Sequence, residues 1–245
     1  MTAISKSTNA PKNTDGFDIG ESTYTNIKNI YVSNQDDCIA FKSGCNYVNV
    51  NKSKFISNPF ITIMPSRAAP FRLWNMLIRF STVTCAGTNH GLSVGSLGKA
   101  NADSVQNVFV TGATMINCTK AVGIKLYPSG PAYGTSAVSN VTWDGVTVDN
   151  CDYGAQVQSC YGTTAAECAA NPCAASLTSI SFKNFKGTTN DKKAPAVANL
   201  NCPLVGTCGL HFENFNIAPP TGTAVALCAN THDNIGVRCT AGANG

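Results

Sequence analysis

Four segments of the chain repeat one pattern, and this repetition limits the folds that the chain can adopt. In each segment apolar and polar residues alternate, a short run of Asn, Gly or Ser follows, and a second apolar run comes next. The segments are residues 26–44, 105–128, 138–160 and 178–189. Strict alternation indicates β-strands with one buried face. Imperfect units of roughly 20 to 35 residues without a helical period predict an all-β protein of stacked solenoid coils, although a β-sandwich also has regularly spaced strands.

The cysteines indicate an oxidising compartment. The chain has 12 of them in 245 residues, a density that cytosolic proteins normally reach only with metal sites. No spacing here matches a metal motif, so we expect neither a metal nor another cofactor. Pairs that flank short loops predict three local disulfides instead: Cys160 with Cys168, Cys202 with Cys208, and Cys228 with Cys239. Glycosylation sequons at Asn51, Asn117 and Asn140 agree with a secreted, extracellular protein.

The first residues of the chain lack the signal peptide expected of a secreted protein. Residues 1–16 contain no apolar core of a signal peptide, and no later segment is long and apolar enough to span a bilayer. Our hypothesis is that the chain lacks the N-terminal part of a longer protein. A signal peptide and further repeats encoded upstream would support it.

The stretch from residue 52 to residue 83 departs from the repeated pattern. It has no alternation, three prolines, and five basic residues without an acidic one. The net charge is +4, so the rest of the chain carries 4 − 5 = −1, and the basic residues form no stripe suited to a phosphate backbone. Pro59, Pro65 and Pro70 interrupt any helix that would lie on a membrane surface. We therefore expect no nucleic acid and no membrane as partner, and interpret the stretch as a translated intron or a recent insertion.

Three aspartates are spaced so that neighbouring coils could bring them together. Asp15 and Asp36 are 21 residues apart, about one solenoid turn, and could stack across strands about 4.7–4.9 Å apart. Asp37 follows Asp36 directly, and like charges held this close raise one pKa, as a general acid requires. Inverting hydrolysis of a glycosidic bond needs one protonated carboxyl and one or two carboxylates. Singly, such residues are more often turn residues, so the spacing carries the interpretation.

Two further residues fit that chemistry. His90 is one of only three histidines and could orient a carboxylate or bond the substrate, although a lone histidine is more often an ordinary loop residue. Lys125 lies in an apolar, strand-like run, where it either ends in solvent or reaches into a cleft. In a cleft it would supply the cation that the carboxylate of a uronic acid needs.

Four motifs in fixed order resemble a known family. They are Asn13-Thr14-Asp15-Gly16, Asp36-Asp37, His90-Gly91 and Ile124-Lys125. Over residues 1–51 and 84–245 the chain is similar to the polygalacturonase-type glycoside hydrolases of family 28. The resemblance implies a right-handed parallel β-helix, forming a single catalytic domain over residues 1–245 that is N-terminally incomplete. It also implies a monomer that hydrolyses the α-1,4-galacturonosyl linkages of a pectic polysaccharide by inversion.

The resemblance implies a role in catalysis for four of the matched residues. By that resemblance Asp36 is the general acid, and Asp15 and Asp37 hold and activate the water. His90 supports the acid.

Substrate binding is implied for Lys125, Tyr161 and Asn13. Lys125 would bind the substrate carboxylate, and Tyr161 matches the tyrosine of the family's cleft. The resemblance further implies that Cys85 pairs with Cys38, the cysteine that follows the two aspartates.

The chain departs from the family in several places. Gly123 stands where polygalacturonases have the arginine of an Arg-Ile-Lys motif, and this segment is closer to the exo-polygalacturonase and xylogalacturonan hydrolase branches, where a small residue would make room for a decorated backbone. Asp37 and His90 are 53 residues apart, and removing the 32 residues 52–83 leaves 21, the same step as from Asp15 to Asp36.

Two alternatives to a pectin hydrolase remain. One is a catalytically impaired pectin-binding β-solenoid. The other is a pectate lyase-like solenoid, whose calcium site and catalytic arginine we do not find.

Overall fold

The alternating segments form β-strands in the structure, a computed structural model that describes residues 13–28, 32–51, 83–86, 90–99, 102–232 and 234–244. The strands are β1 (Phe17–Ile19), β2 (Asn26–Lys28), β3 (Val32–Ser33), β4 (Ile39–Phe41), β5 (Cys45–Asn51), β6 (Val83–Ala86), β7 (Leu92–Leu97), β8 (Ala102–Ile116), β9 (Val122–Leu126), β10 (Thr135–Cys151), β11 (Ala155–Ser159), β12 (Ala174–Thr189), β13 (Ala196–Asn201), β14 (Val205–Ala218), β15 (Val225–Ala229) and β16 (Cys239–Ala241). Helical residues are confined to α1 (Ala165–Ala170) and a 3-10 turn at Asp191–Lys193 within these ranges. No helix in the described part of the chain has the length and apolar character needed to cross a bilayer.

Parallel pairing decides between the solenoid and the sandwich. Sheet A contains, in spatial order, β1, β4, β7, β9, β11, β13, β15 and β16. Sheet B contains β2, β5, β8, β10, β12 and β14, with β3 and β6 beside this path. Neighbours in both sheets pair in parallel, and each belongs to the next coil of the chain. This pairing of successive coils confirms the predicted parallel β-helix. The coils are right-handed, as parallel crossovers almost always are.

The apolar side chains of successive coils stack on one another inside the helix. Trp143, Phe182 and Phe212 occupy the same position on β10, β12 and β14. Their rings are stacked, with centroids 5.1 Å and 4.4 Å apart. A slip of one residue would turn these side chains outward, so the stack fixes the register of the coils.

Asparagines form hydrogen-bonded columns at the bends of sheet B. Nδ2 of Asn140 donates to Oδ1 of Asn107 at 2.6 Å, and Nδ2 of Asn107 donates to Oδ1 of Asn46 at 2.8 Å. Asn107 and Asn140 both have a φ of 53°, a left-handed conformation that asparagine adopts more readily than most residues. The asparagine near the start of these two sequence repeats thus marks a bend between two runs of strand.

The atypical stretch interrupts what is otherwise one strand of sheet B. Asn51 at the end of β5 pairs with Thr111, and Val83 at the start of β6 pairs with Ala113 of the same strand, β8. β5 and β6 are therefore the two halves of one strand, separated by 82 − 51 = 31 residues where β8 has a single residue. Residues 52–82 lie outside the described residues, whereas Val83 belongs to the strand.

The disulfides bear out the expected pairs and add one. The three local pairs are present, namely Cys160–Cys168, Cys202–Cys208 and Cys228–Cys239. The pair implied by the family resemblance, Cys38–Cys85, is present as well. Cys118–Cys151 joins the turn after β8 to the end of β10 and was not predicted. Cys45 and Cys173 are buried and free.

Candidate active site

The turns that precede the strands of sheet A are aligned by parallel pairing. The first four strands of the sheet are in register at Phe17, Ile39, Leu92 and Val122. The residues two positions earlier form a row across four coils, consisting of Asp15, Asp37, His90 and Lys120. The first step is 39 − 17 = 22 residues, one more than the spacing of the motifs suggested. Asp37, rather than Asp36, therefore lies in the row with Asp15.

Asn34 holds the first two of these turns together. Its Nδ2 donates to the carbonyl oxygens of Thr14 at 2.8 Å and Asp37 at 2.6 Å. The N–H of Gly16 donates to the same Asp37 carbonyl at 2.9 Å. A Cβ on Gly16 would lie 2.5 Å from the carbonyl oxygen of Cys38, so the coils can approach this closely only at a glycine. The Asp-Gly pair is thus required by the packing that places Asp15 beside Asp37.

Asp37 and Lys125 form a buried ion pair. The Lys125 ammonium donates a hydrogen bond to Oδ2 of Asp37. Oδ1 of Asp37 is buried without a hydrogen-bond partner among the described residues. The Lys125 ammonium also lies 5.3 Å from the centre of the Tyr161 ring, within the range of a cation–π contact. The structure therefore brings Asp37, Lys125 and Tyr161 together, with the Lys125 ammonium bonded to a carboxylate of the protein itself.

Asp36 and His90 are neighbours at the edge of this pair. Nδ1 of His90 lies 3.2 Å from Oδ1 of Asp36, and the side chains are 34% and 22% exposed. The two atoms are close but are not aligned as a hydrogen bond, while the same Oδ1 accepts the N–H of Asp37 at 2.9 Å. Burial, together with the cations of Lys120 and Lys125, lowers the pKa of His90. A neutral imidazole therefore faces the Asp36 carboxyl near neutral pH.

Asp15 retains a proton more readily than an ordinary aspartate. Burial, a hydrogen bond with the Asp18 carboxyl and the charges of Asp36 and Asp37 raise its pKa to about 7. The Lys42 ammonium, 3.5 Å from Oδ2 of Asp15, opposes this change without cancelling it. In mildly acidic solution the three aspartates consequently hold at least one proton between them.

A polar cavity of about 300 Å³ opens beside His90. Its walls come from the later coils of sheet A and from the loops next to them. The lining residues are His90, Thr119, Lys120, Asp152, Tyr153, Gln156, Gln158, Tyr161, Lys193, Asn199 and Asn244. Amide, hydroxyl and ammonium groups of this kind suit a hydroxylated, acidic ligand.

Gly123 leaves no free space at the position where the family has arginine. A Cβ there would lie 2.6 Å from the carbonyl oxygen of Gln156, and 2.7 Å and 2.9 Å from Cδ and Cε of Lys120. Immediately beside Gly123 the space is therefore occupied by the Gln156 carbonyl and the Lys120 stem.

Asp36, Asp37 and His90 have ligand atoms within 4.8 Å of one another, close enough to surround a metal ion. Lys125 already occupies Oδ2 of Asp37, and the Lys120 cation acts on the same histidine. A divalent ion would be repelled by both ammonium groups. The donor set fits proton transfer better than metal coordination.

Asn13 lies at the margin of the site. It is exposed, two residues before Asp15, with a left-handed φ of 49°. The sequence interpretation missed Lys42, Asn34 and Lys120, which surround the aspartates or line the cavity. For Lys120 a signal existed, because it stands two residues before an apolar strand just as His90 does.

Comparison with known proteins agrees with this geometry. A sequence model of the family described as "Glycosyl hydrolases family 28" matches residues 1–63 and 73–240. The chain belongs to glycosyl hydrolases family 28. This membership accounts for the ordered motifs and for the coils that carry them.

Relatives of this family 28 chain include endo-xylogalacturonan hydrolase A of Aspergillus tubingensis, which is 51% identical over 245 residues, 100% of the chain and 53% of that protein. Probable endo-xylogalacturonan hydrolase A of Aspergillus niger is 50% identical over the same 245 residues, 53% of its length. The chain therefore spans about half the length of these relatives.

Two solved structures share the fold of this family 28 chain. The crystal structure of endo-xylogalacturonan hydrolase from Aspergillus tubingensis has a TM-score of 0.84 and 51% identity, covering 99% of the chain and 57% of that structure. Endopolygalacturonase I from Stereum purpureum, complexed with two galacturonate, has a TM-score of 0.59 and 22% identity, covering 95% and 55%. The second likeness concerns the fold alone.

Proposed function

We propose that this chain carries the catalytic site of an inverting glycoside hydrolase that cleaves α-1,4-galacturonosyl linkages in pectin, in polygalacturonan or xylogalacturonan. The observation that carries the proposal is the meeting of three aspartates from two turns, with Asp15 and Asp37 in one row and Asp36 beside them. Family membership supports hydrolysis, and relatives named endo-xylogalacturonan hydrolases at 50–51% identity support a xylogalacturonan backbone.

Asp36 is the general acid in this proposal. Of Asp36 and Asp37, Asp36 is the partly exposed one, so a glycosidic oxygen can reach its carboxyl. His90 lies 3.2 Å from this carboxyl and orients it. A neutral imidazole has a ring nitrogen that can accept a hydrogen bond from the protonated carboxyl of a general acid. The acid protonates the leaving oxygen while water attacks the opposite face of the sugar.

Asp37 and Asp15 hold and activate that water. The Lys125 ammonium occupies Oδ2 of Asp37 and leaves Oδ1 without a partner among the described residues, so Oδ1 can accept a hydrogen bond from the water. Asp15, with its pKa of about 7, keeps its proton in acidic solution and can donate a hydrogen bond. One group thus accepts from the water while the other positions it.

Substrate binding is proposed for Lys125, Tyr161 and Asn13, next to the polar cavity. The Tyr161 ring lines the cavity and lies over the Lys125 ammonium. An apolar ring face of this kind can stack on a sugar ring, and the cation attracts an acidic one.

An assay of new reducing ends on polygalacturonate and on xylogalacturonan tests the proposal. We expect turnover by the wild-type chain, and a loss of about 10²–10⁴-fold in kcat for Asp36→Asn. The matched control is Asp149→Asn, because Asp149 is exposed on β10, far along the chain from the aspartate turns. Proton NMR of the first product should show the inverted anomer. Retention of configuration, or equal rates for both variants, would contradict the mechanism.

The alternative is a β-solenoid that binds pectin but no longer hydrolyses it. The observation in its favour is that the Lys125 ammonium is already bonded to Asp37, while Gly123 supplies no second cation at the family's arginine position. Binding of galacturonan by the wild-type and Asp36→Asn proteins, without new reducing ends from either, would establish this alternative.

We also propose that the protein is secreted and monomeric. Five disulfides among the described residues support an oxidising compartment. Immunodetection in the medium of the producing organism tests secretion, and light scattering of the purified protein tests the monomer.

A further inference from the structure

Lys120 is a buried lysine that the proposed reaction does not yet use. It stands in the row with Asp15, Asp37 and His90, and only 3% of its surface is exposed. Its Cδ and Cε lie beside Gly123, 2.7 Å and 2.9 Å from where a Cβ would be. The stem therefore runs along β9 through the space that a larger side chain at position 123 would fill.

The Lys120 ammonium is not neutralised by the residues around it. None of the ion pairs in the described part of the chain includes it. Burial, and then the Lys125 charge, lower its pKa to about 7, although Asp37 and Asp36 attract the charged form. Below that pH the group is a cation held in a poorly solvated place, which is costly unless an anion joins it.

The cavity beside Lys120 also contains an unpaired acceptor. Oε1 of Gln158 is buried without a hydrogen-bond partner among the described residues. Gln158 lines the same cavity as Lys120 and pairs with Lys125 across the strands of sheet A. A ligand with both an anionic group and a hydroxyl group could pair with both side chains. The anion would contact the Lys120 ammonium, and the hydroxyl would donate a hydrogen bond to Oε1 of Gln158.

We propose that Lys120 binds the carboxylate of a galacturonate residue in this cavity, and so determines specificity for an acidic sugar. The inference rests on the proposed function, since it assumes a galacturonan substrate. Lys120 would thus add a second cation for the substrate beside Lys125, whose ammonium is also bonded to Asp37. Gly123 is what leaves room for the second lysine.

Kinetics of Lys120→Met test the inference, because methionine keeps the stem and removes the charge. On oligogalacturonates with free carboxylates we expect KM to rise roughly 10- to 100-fold with a smaller change in kcat, since a hydrogen bond to a charged group is lost. On the methyl-esterified oligomers the variant and the wild type should have the same KM. The matched control, Lys186→Met, changes an exposed lysine of β12 and should alter neither.

A labelling experiment on the wild-type protein avoids dependence on the folding of the variant. Cyanate at pH 8 should carbamylate Lys120, and oligogalacturonate should protect it while the methyl ester does not; Lys186 should be modified equally throughout. Equal KM changes on both substrates, or equal protection by both, would overturn the role of Lys120 while leaving the hydrolase intact. A wild-type protein that neither binds nor cleaves galacturonan would overturn both proposals.

Discussion

The ammonium group of Lys125 donates a hydrogen bond to Oδ2 of Asp37 inside the protein, where the two side chains are 4% and 2% exposed. Each charge is stable there only while the other is present, because water cannot replace the lost contact. The pair ties β9 to the turn before β4, across the intervening strand β7. The position of a proposed catalytic carboxylate thus depends on a residue 88 positions away in the chain.

Loss of one member of this pair should destabilise the fold. We expect Lys125→Met to lower the free energy of unfolding by about 3–5 kcal/mol, since it leaves the Asp37 charge buried and unpaired. Adding Asp37→Asn should recover part of the loss. Urea unfolding measures both, with Lys186→Met as the control, expected to change stability by less than about 0.5 kcal/mol. Equal losses in the single and double variants would show that the pair is not coupled.

Side chains at position 123 should be poorly tolerated. Gly123→Ala is expected to lower the free energy of unfolding by about 1–3 kcal/mol, because its Cβ overlaps Lys120 and the Gln156 carbonyl. Gly123→Arg should therefore fail to raise activity on polygalacturonate, even though it restores the family's arginine. Thermal unfolding and the reducing-end assay check the two variants. A stable, more active arginine variant would refute this view of the site.

The Asp15 carboxyl should make stability depend on pH. Its pKa, about 7 in the folded protein, exceeds the ordinary value of 3.8, so between these values the folded state binds more protons and stability falls as pH rises. Asp15→Asn lacks this dependence. The unfolding midpoint of the variant, relative to wild type, should rise between pH 4 and pH 7 and then level off. A constant difference across that interval would argue against a protonated Asp15.

Deleting residues 52–82 should let β5 and β6 form one continuous strand. Asn51 and Val83 are opposite Thr111 and Ala113, so one residue suffices to join them. The joining residue would lie opposite Gly112, whose φ is 69°, and glycine suits this left-handed position. We expect the variant with one glycine in place of residues 52–82 to fold with an unfolding midpoint at least equal to that of wild type. A parallel variant with two glycines shifts β6 by one residue and should be less stable.

The fold was predictable because its signals are local. Alternation within each repeat predicted the strands, and the asparagines that accept a left-handed φ, such as Asn107 and Asn140, marked the bends. The register was not predictable in the same way, since it depends on how whole coils stack. This is why Asp15 lies in a row with Asp37 instead of Asp36, and why Cys118–Cys151, which closes no short loop, was missed.

The candidate site was only partly predictable. Asp15, Asp36, Asp37, His90 and Lys125 stood out because their residue types suit acid catalysis and follow a known order. Lys120 did not, since a lysine before an apolar strand is normally a surface residue. Its burial results from the neighbouring coils, and aligning the residues two positions before each strand of sheet A would have placed it beside His90.

The break between β5 and β6 lies at a bend where the next two coils carry Gly112 and Gly145, residues without side chains to pack. Extra sequence at this bend displaces no apolar side chain of the stacked interior and leaves the paired strands on either side in register. A solenoid can therefore acquire a new segment at such a bend during evolution without changing how its coils stack. The bend is equally an attachment point for engineers, who could fuse a carbohydrate-binding module there in place of residues 52–82.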